Sequence, residues 1–195
     1  TVHKAFDEAT AVLAGDALHV LAFDILTDAS VSSDPFIQAE LVRCLAKVSG
    51  MSGMVGGQAM DMAADSATYD LHTITRLQQL KTGALLTASV EMGAILGRVP
   101  PESRAPLLNY ARDIGLAFQI VDDLLDHEGD EDKAGKALRK DDEQGKQTFV
   151  SLMGADAARS QAKALIEQAC GQLAHYGEVA GVLCDLARYI VERDR

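Results

Sequence analysis

The chain has 195 residues, enough for one domain with a sizeable core and too few for two full ones. Apolar residues make up 48% and charged residues 24%, which excludes a disordered or collagen-like chain. Its formal net charge of -11, from 18 Lys and Arg against 29 Asp and Glu, argues against nucleic acid as a partner, and no uninterrupted apolar run reaches the ~20 residues of a bilayer span, so no stable membrane insertion is expected.

Periodicity predicts helix almost throughout, with no strand alternation and no internal repeat, so the expected fold class is all-α in a single unit over residues 1–195. The first helix is expected from Asp7 to Asp28. Val12, Leu13, Val20, Leu21, Phe23, Ile25 and Leu26 spread around its circumference and predict a buried helix, with Asp16 capped inside a packed interface. Asp34-Pro35 reads as an N-cap and first-turn proline opening a helix through Phe36, Leu41, Leu45 and Val48. Small residues from Gly50 to Gly57 allow close approach of a helix or a ligand before helical pattern resumes through Gln58, Asp61 and Met62.

A long amphipathic helix follows from His72 to Leu96, ended by Pro100 and Pro101, and the next is expected from Glu102 to Asp126. The segment from His127 to Gln147 holds seven acids, five Lys or Arg and three glycines, which is too charged for a core and long enough to be functional. Helices from Asp156 to Gln172 and Val182 to Glu192 close the chain. Cys44, Cys170 and Cys184 are odd in number and widely spaced, which suits reduced thiols of a cytoplasmic protein better than disulfides or a zinc site.

Gly115-Leu116-Ala117-Phe118-Gln119-Ile120-Val121-Asp122-Asp123-Leu124-Leu125-Asp126 carries the strongest chemical signal. On a helical wheel Asp122 and Asp126 lie about 40° apart and Asp123 about 60° from Asp126, so the three carboxylates lean to one side. Grouped carboxylates repel, and a hard divalent cation such as Mg²⁺ relieves that repulsion while keeping waters and phosphate oxygens in its shell. A solvated acidic helix end fits the same residues, although acids there oppose the helix dipole.

Lys81-Thr82-Gly83 suggests a kink in its helix where an ammonium reaches an anion; a lysine snorkelling from an amphipathic helix also fits. Gly135-Lys136, Lys140-Asp141 and Gly145-Lys146-Gln147-Thr148 interleave cations with glycine in a way that can wrap a phosphate, or form a plain surface loop. Gln58 and Asp61, three residues apart, share one helix face and serve either a ligand or a buried hydrogen bond.

Together with His3-Lys4-Ala5-Phe6, Leu13-Ala14-Gly15-Asp16-Ala17-Leu18, Gly56-Gly57-Gln58 and Tyr189-Ile190-Val191-Glu192-Arg193, these motifs resemble the trans-polyprenyl diphosphate synthases, in particular the bacterial farnesyl and geranyl diphosphate synthases. The resemblance implies a bundle of mostly antiparallel helices around a central cavity, and Mg²⁺-dependent condensation of an allylic diphosphate with isopentenyl diphosphate to a short, C15 product. It implies Asp122, Asp123 and Asp126 as metal ligands, with Lys81, Lys136, Lys146, Gln58, Asp61 and Asp141 on the substrate. Oxygens of Thr82, Gln119 and the Lys81 carbonyl would face the allylic cation, and the protein would act as a homodimer. Family members carry a first aspartate-rich motif and an arginine pair just before the position of Thr1. On that reading the chain is N-terminally incomplete and as given would not condense substrates at a useful rate. A terpene synthase-like enzyme and a noncatalytic subunit partnering a prenyl synthase are the alternatives; Lys81-Thr82 and the Gly135 to Thr148 loop favour the condensing enzyme.

Overall fold

The computed structural model describes residues 1–64, 68–128 and 147–193, and among them every regular element is helical. In chain order the α-helices are α1 (Val2–Ala5), α2 (Glu8–Thr27), α3 (Pro35–Ser49), α4 (Met54–Ala63), α5 (Leu71–Gln78), α6 (Ala84–Leu96), α7 (Ala105–Glu128), α8 (Phe149–Met153), α9 (Ala155–Gln172) and α10 (Gly181–Glu192). Local chemistry sets several starts. The Asp7, Asp34 and Asp70 carboxylates accept from the backbone N–H of Thr10, Phe36 and Thr73 at 2.8, 3.0 and 2.8 Å, each satisfying a donor that the first helical turn leaves unpaired.

Helix α7 is the axis of the molecule. It buries Tyr110, Ala111, Ile114, Gly115, Ala117, Ile120, Val121 and Leu124, and packs most extensively on α9, with α6, α8 and α10 around it. Tyr110 is fully buried and donates its hydroxyl to the Leu183 carbonyl at 2.7 Å, which fastens the last helix to this axis. Burial pushes the phenol up to about 12, so it stays a donor. A second core of Leu41, Cys44, Ala88 and Ile95 joins α3 to α6. Arg104, 6% exposed, fixes the turn into α7 by donating to the Val99 carbonyl at 2.7 Å and to Glu40 at 2.6 Å.

Four sequence expectations are corrected. The stretch from His72 to Leu96 is three pieces, because the π-helical turn Gln79–Gly83 divides α5 from α6, and Gly97, not the prolines, caps α6. Helix α7 starts at Ala105, since Pro101–Ser103 forms a 3-10 turn first. Helix α8 follows the charged stretch, where no element was expected before Asp156; a capping box between Thr148 and Ser151 starts it and Gly154, at φ 83, breaks it from α9.

The largest correction concerns α2. It buries no residue: Leu13, Leu18 and Val20 are 67%, 67% and 68% exposed, and Asp16 is exposed rather than enclosed. An apolar circumference reports that a helix seeks cover but not which neighbour provides it. The helix is also long and apolar enough to cross a membrane by length and composition, with a mean hydropathy of 1.6, a property that counting uninterrupted apolar runs overlooks because Asp16 and Asp24 break the run.

Candidate functional site

The site is built on the π turn, which is gripped between two glycines. A Cβ on Gly57 of α4 would lie 2.2 Å from the Lys81 nitrogen and 2.6 Å from its Cα, and one on Gly115 of α7 would lie 3.3 Å from the Gly83 Cα. Only bare backbone permits that approach. An inserted residue in a helix, the signature of a π turn, is a frequent device for aiming functional groups. Here it sends Lys81 and Thr82 to different partners.

Lys81 reaches α4, its Nζ 2.7 Å from Asp61 Oδ2, with the two side chains 34% and 18% exposed. Thr82 reaches α7 and donates its hydroxyl to Gln119 Oε1 at 3.2 Å. Gln119 in turn donates its amide to Asp122 Oδ2 at 3.2 Å, so hydroxyl, amide and carboxylate form one chain across the helix pair. The other oxygen of Asp122, Oδ1, accepts from Arg193, the residue that caps α10. The Arg193 guanidinium also reaches the Phe118 carbonyl at 3.4 Å and lies 4.1 Å from the centre of the Phe118 ring.

The three aspartates of α7 do not act alike. Asp123 Oδ2 accepts from the Phe149 backbone N–H at 2.8 Å and thus serves the first turn of α8. Asp122 is held by Gln119 and Arg193, and Asp126 is half-buried one turn further on. Among the described residues no group of three His, Cys, Asp or Glu side chains converges on one point. Gln58 is exposed while Asp61, on the same helix, is half-buried against Lys81. The Lys81 ammonium donates to Asp61 across the α4 contact. Lys136, Asp141 and Lys146 lie outside the described residues.

Two cavities flank the helix that carries this site. One, of about 500 Å³, is bounded by Cys44, Gln79, Gly83, Thr87, Glu91 and Leu116 among others. Burial first, and the Glu91 carboxylate second, push the Cys44 thiol up to about 12, so it packs as an inert small apolar group. The other, of about 330 Å³, lies between α7 and α10 and is lined by Leu86, Phe118, Tyr189, Ile190 and Arg193 among others.

This order of elements can be set beside known proteins. A family model described as Polyprenyl synthetase matches residues 1–183. The chain belongs to the polyprenyl synthetase family. It is 40% identical over 200 residues to the farnesyl diphosphate synthase of Escherichia coli K12, covering 100% of this chain and 67% of that protein. The farnesyl diphosphate synthase of Geobacillus stearothermophilus is 36% identical, with 100% of this chain and 66% of that protein covered. Among solved structures, an FPP/GFPP synthase of Zymomonas mobilis in its apo form superposes with a TM-score of 0.87 at 54% identity, over 97% of this chain and 64% of that one. A geranyltransferase of Helicobacter pylori, solved with magnesium and isoprenyl diphosphate, superposes with a TM-score of 0.84 at 31% identity, over 98% of this chain and 62% of that one. The chain thus spans about two thirds of the length of the proteins it matches.

Sequence reasoning gave no role to Arg193, which donates to Asp122, or to Phe118, against whose ring and carbonyl Arg193 rests. The signal was faint: an arginine between Glu192 and Asp194 at the end of a helix reads as a solvated terminus, and its partner is 71 residues away.

Proposed function

We propose that the chain supplies the allylic-diphosphate side of a Mg²⁺-dependent prenyltransferase, which joins an allylic diphosphate to isopentenyl diphosphate and releases a short prenyl diphosphate of the C15 class. The observation that carries this reading is the π turn, which places a diphosphate-seeking ammonium, Lys81, next to Thr82, whose hydroxyl continues through Gln119 to the Asp122 carboxylate.

The donor set fits magnesium. Asp122 and Asp126 offer hard carboxylate oxygens at a half-buried helix end, and Mg²⁺ typically takes one or two carboxylates and completes its shell with water and phosphate oxygens. When bound, the ion supplies charge neutralisation for the leaving diphosphate. Lys81 adds a further positive charge to that group, and Asp61 holds the ammonium in position until the substrate shares it. Lys136 and Lys146, with Asp141, complete the clamp.

As the allylic C–O bond breaks, positive charge develops on carbon. The Thr82 hydroxyl oxygen, the Gln119 amide oxygen and the Lys81 carbonyl stabilise it as fixed dipoles. The new C–C bond forms from the isopentenyl double bond, and the proton then lost is taken by the departed diphosphate, so no separate protein base is needed. The test is incubation of the chain, joined to the N-terminal segment its relatives carry, with Mg²⁺, geranyl diphosphate and radiolabelled isopentenyl diphosphate; the chain alone should turn over far more slowly. The expected product is a single C15 diphosphate whose formation stops on chelation with EDTA; diphosphate release without C–C bond formation would instead favour a terpene synthase-like reaction.

A second copy of the chain is the proposed cover for α2. Its exposed Val12, Leu13, Leu18, Val20 and Ile25 need burial, while Asp16 near its middle would oppose insertion in a bilayer by about 3 kcal/mol. A cytoplasmic homodimer satisfies both. Light scattering should give twice the chain mass, and Leu13→Arg with Val20→Arg should shift it to the monomer; an unchanged mass would remove α2 from the interface.

A further inference from the structure

Arg193 is bound more tightly than an arginine just past a helix end needs to be. Its side chain is only 13% exposed although it lies just past the end of α10, and it is fixed by Asp122, the Phe118 carbonyl and the Phe118 ring together. Yet the burial is incompletely satisfied: Nε is enclosed with no hydrogen-bond partner among the described residues. Such an arrangement holds the side chain well and still leaves it a reason to exchange partners.

Both oxygens of Asp122 already receive donors, Arg193 on Oδ1 and Gln119 on Oδ2. A carboxylate oxygen has spare lone pairs, so the neutral Gln119 amide is compatible with a metal on the same group. A guanidinium is not, because its full positive charge would sit beside a divalent ion in a partly desolvated place. The Asp122 side chain is 42% exposed against 13% for Arg193, so an incoming ion meets the carboxylate from the solvent side with the arginine behind it.

We propose that Arg193 is a placeholder cation: it neutralises Asp122 before the divalent ion arrives and withdraws from Oδ1 when the ion binds, coupling metal binding to the C-terminal end of α10. This rests on the reading of Asp122 as a metal ligand given above. The withdrawal is easy to accommodate, since Arg193 lies beyond the last helical residue in extended backbone, φ -66 and ψ 146, and the Phe118 ring and carbonyl offer a neighbouring resting place. Arg193 is therefore a positioning residue acting through Asp122.

The test is titration of the full chain with Mn²⁺ alone, free ion being read by electron paramagnetic resonance, for the unaltered protein and for Arg193→Gln, Arg193→Lys and Asp122→Asn, each checked for helicity by circular dichroism. Arg193→Gln should bind Mn²⁺ about tenfold more tightly, Arg193→Lys should stay near the unaltered protein, and Asp122→Asn should weaken binding. A gain of affinity on deleting a side chain is not what structural damage produces. Equal or weaker binding by Arg193→Gln, with Asp122→Asn still impaired, overturns the placeholder and leaves the metal reading intact. If Asp122→Asn binds Mn²⁺ as the unaltered protein does, or if none of the four binds, both fall.

Discussion

In the chain joined to the N-terminal segment its relatives carry, Asp122→Asn should lower the rate of prenyl transfer at saturating Mg²⁺ by roughly three orders of magnitude, equivalent to about 4 kcal/mol of lost transition-state stabilisation. The amide keeps the shape of the carboxylate and can still accept from Arg193 or Gln119, so the fold should survive. What it removes is the negative charge proposed to hold the metal, at the carboxylate that Gln119 joins to Thr82. Asp123→Asn should act differently. Its oxygen accepts from the Phe149 N–H, so the expected effect is a modest loss of stability, around 1 kcal/mol, through the start of α8. Rate measurements beside thermal melts separate the two; an Asp122→Asn enzyme within tenfold of the unaltered rate would contradict the assigned role.

Gly57→Val should destabilise the protein by about 3 kcal/mol, lowering its melting temperature by roughly 6–12 °C for a domain of this size. The added carbon would fall 2.2 Å from the Lys81 nitrogen and 2.8 Å from the Leu80 carbonyl carbon, and these are backbone atoms with no rotamer to change. Helix α4 must then move away from the π turn, carrying Asp61 from Lys81, so the variant that does fold should also bind diphosphate poorly. Gly93→Ala in α6 is the matched control. No atom lies within 4 Å of its new Cβ, and an exposed helical glycine replaced by alanine should gain up to about 1 kcal/mol. A calorimetric scan in which Gly57→Val melted with the unaltered protein would show that the close approach is not needed.

The parts of the fold legible in the sequence are those governed by near neighbours. Asp34-Pro35 starts α3 because one carboxylate and one fixed φ act within two residues. Lys81-Thr82-Gly83 marked the kink, and the π turn spans Gln79–Gly83. Gly57 was flagged only as permitting close approach; that it faces Lys81 could not be read, because the two are brought together by packing.

The site was less legible than the fold for the same reason. A helical wheel places Asp122, Asp123 and Asp126 on one side but treats them as equivalent. Their roles diverge through Phe149 and Arg193, 26 and 71 residues away in sequence. Lys81 was read as a ligand of the substrate and Asp61 as sharing a helix face with Gln58; that the two form an ion pair across the glycine contact depends on packing. Helix α2 was the clearest failure, since apolar periodicity gives the demand for burial and leaves the supplier of that burial unspecified.

The central claim is that Lys81 and Asp122 form one binding site for a magnesium-bound allylic diphosphate. It is tested most directly by thermal melting with geranyl S-thiolodiphosphate, whose sulfur bridge resists ionisation, in the presence and absence of Mg²⁺. The unaltered chain should gain about 2–3 kcal/mol at ligand concentrations near a hundredfold above Kd, a rise of several degrees that requires Mg²⁺. Lys81→Ala and Asp122→Asn should each lose most of that rise. The same rise in both variants, or none in the unaltered protein, would contradict the claim.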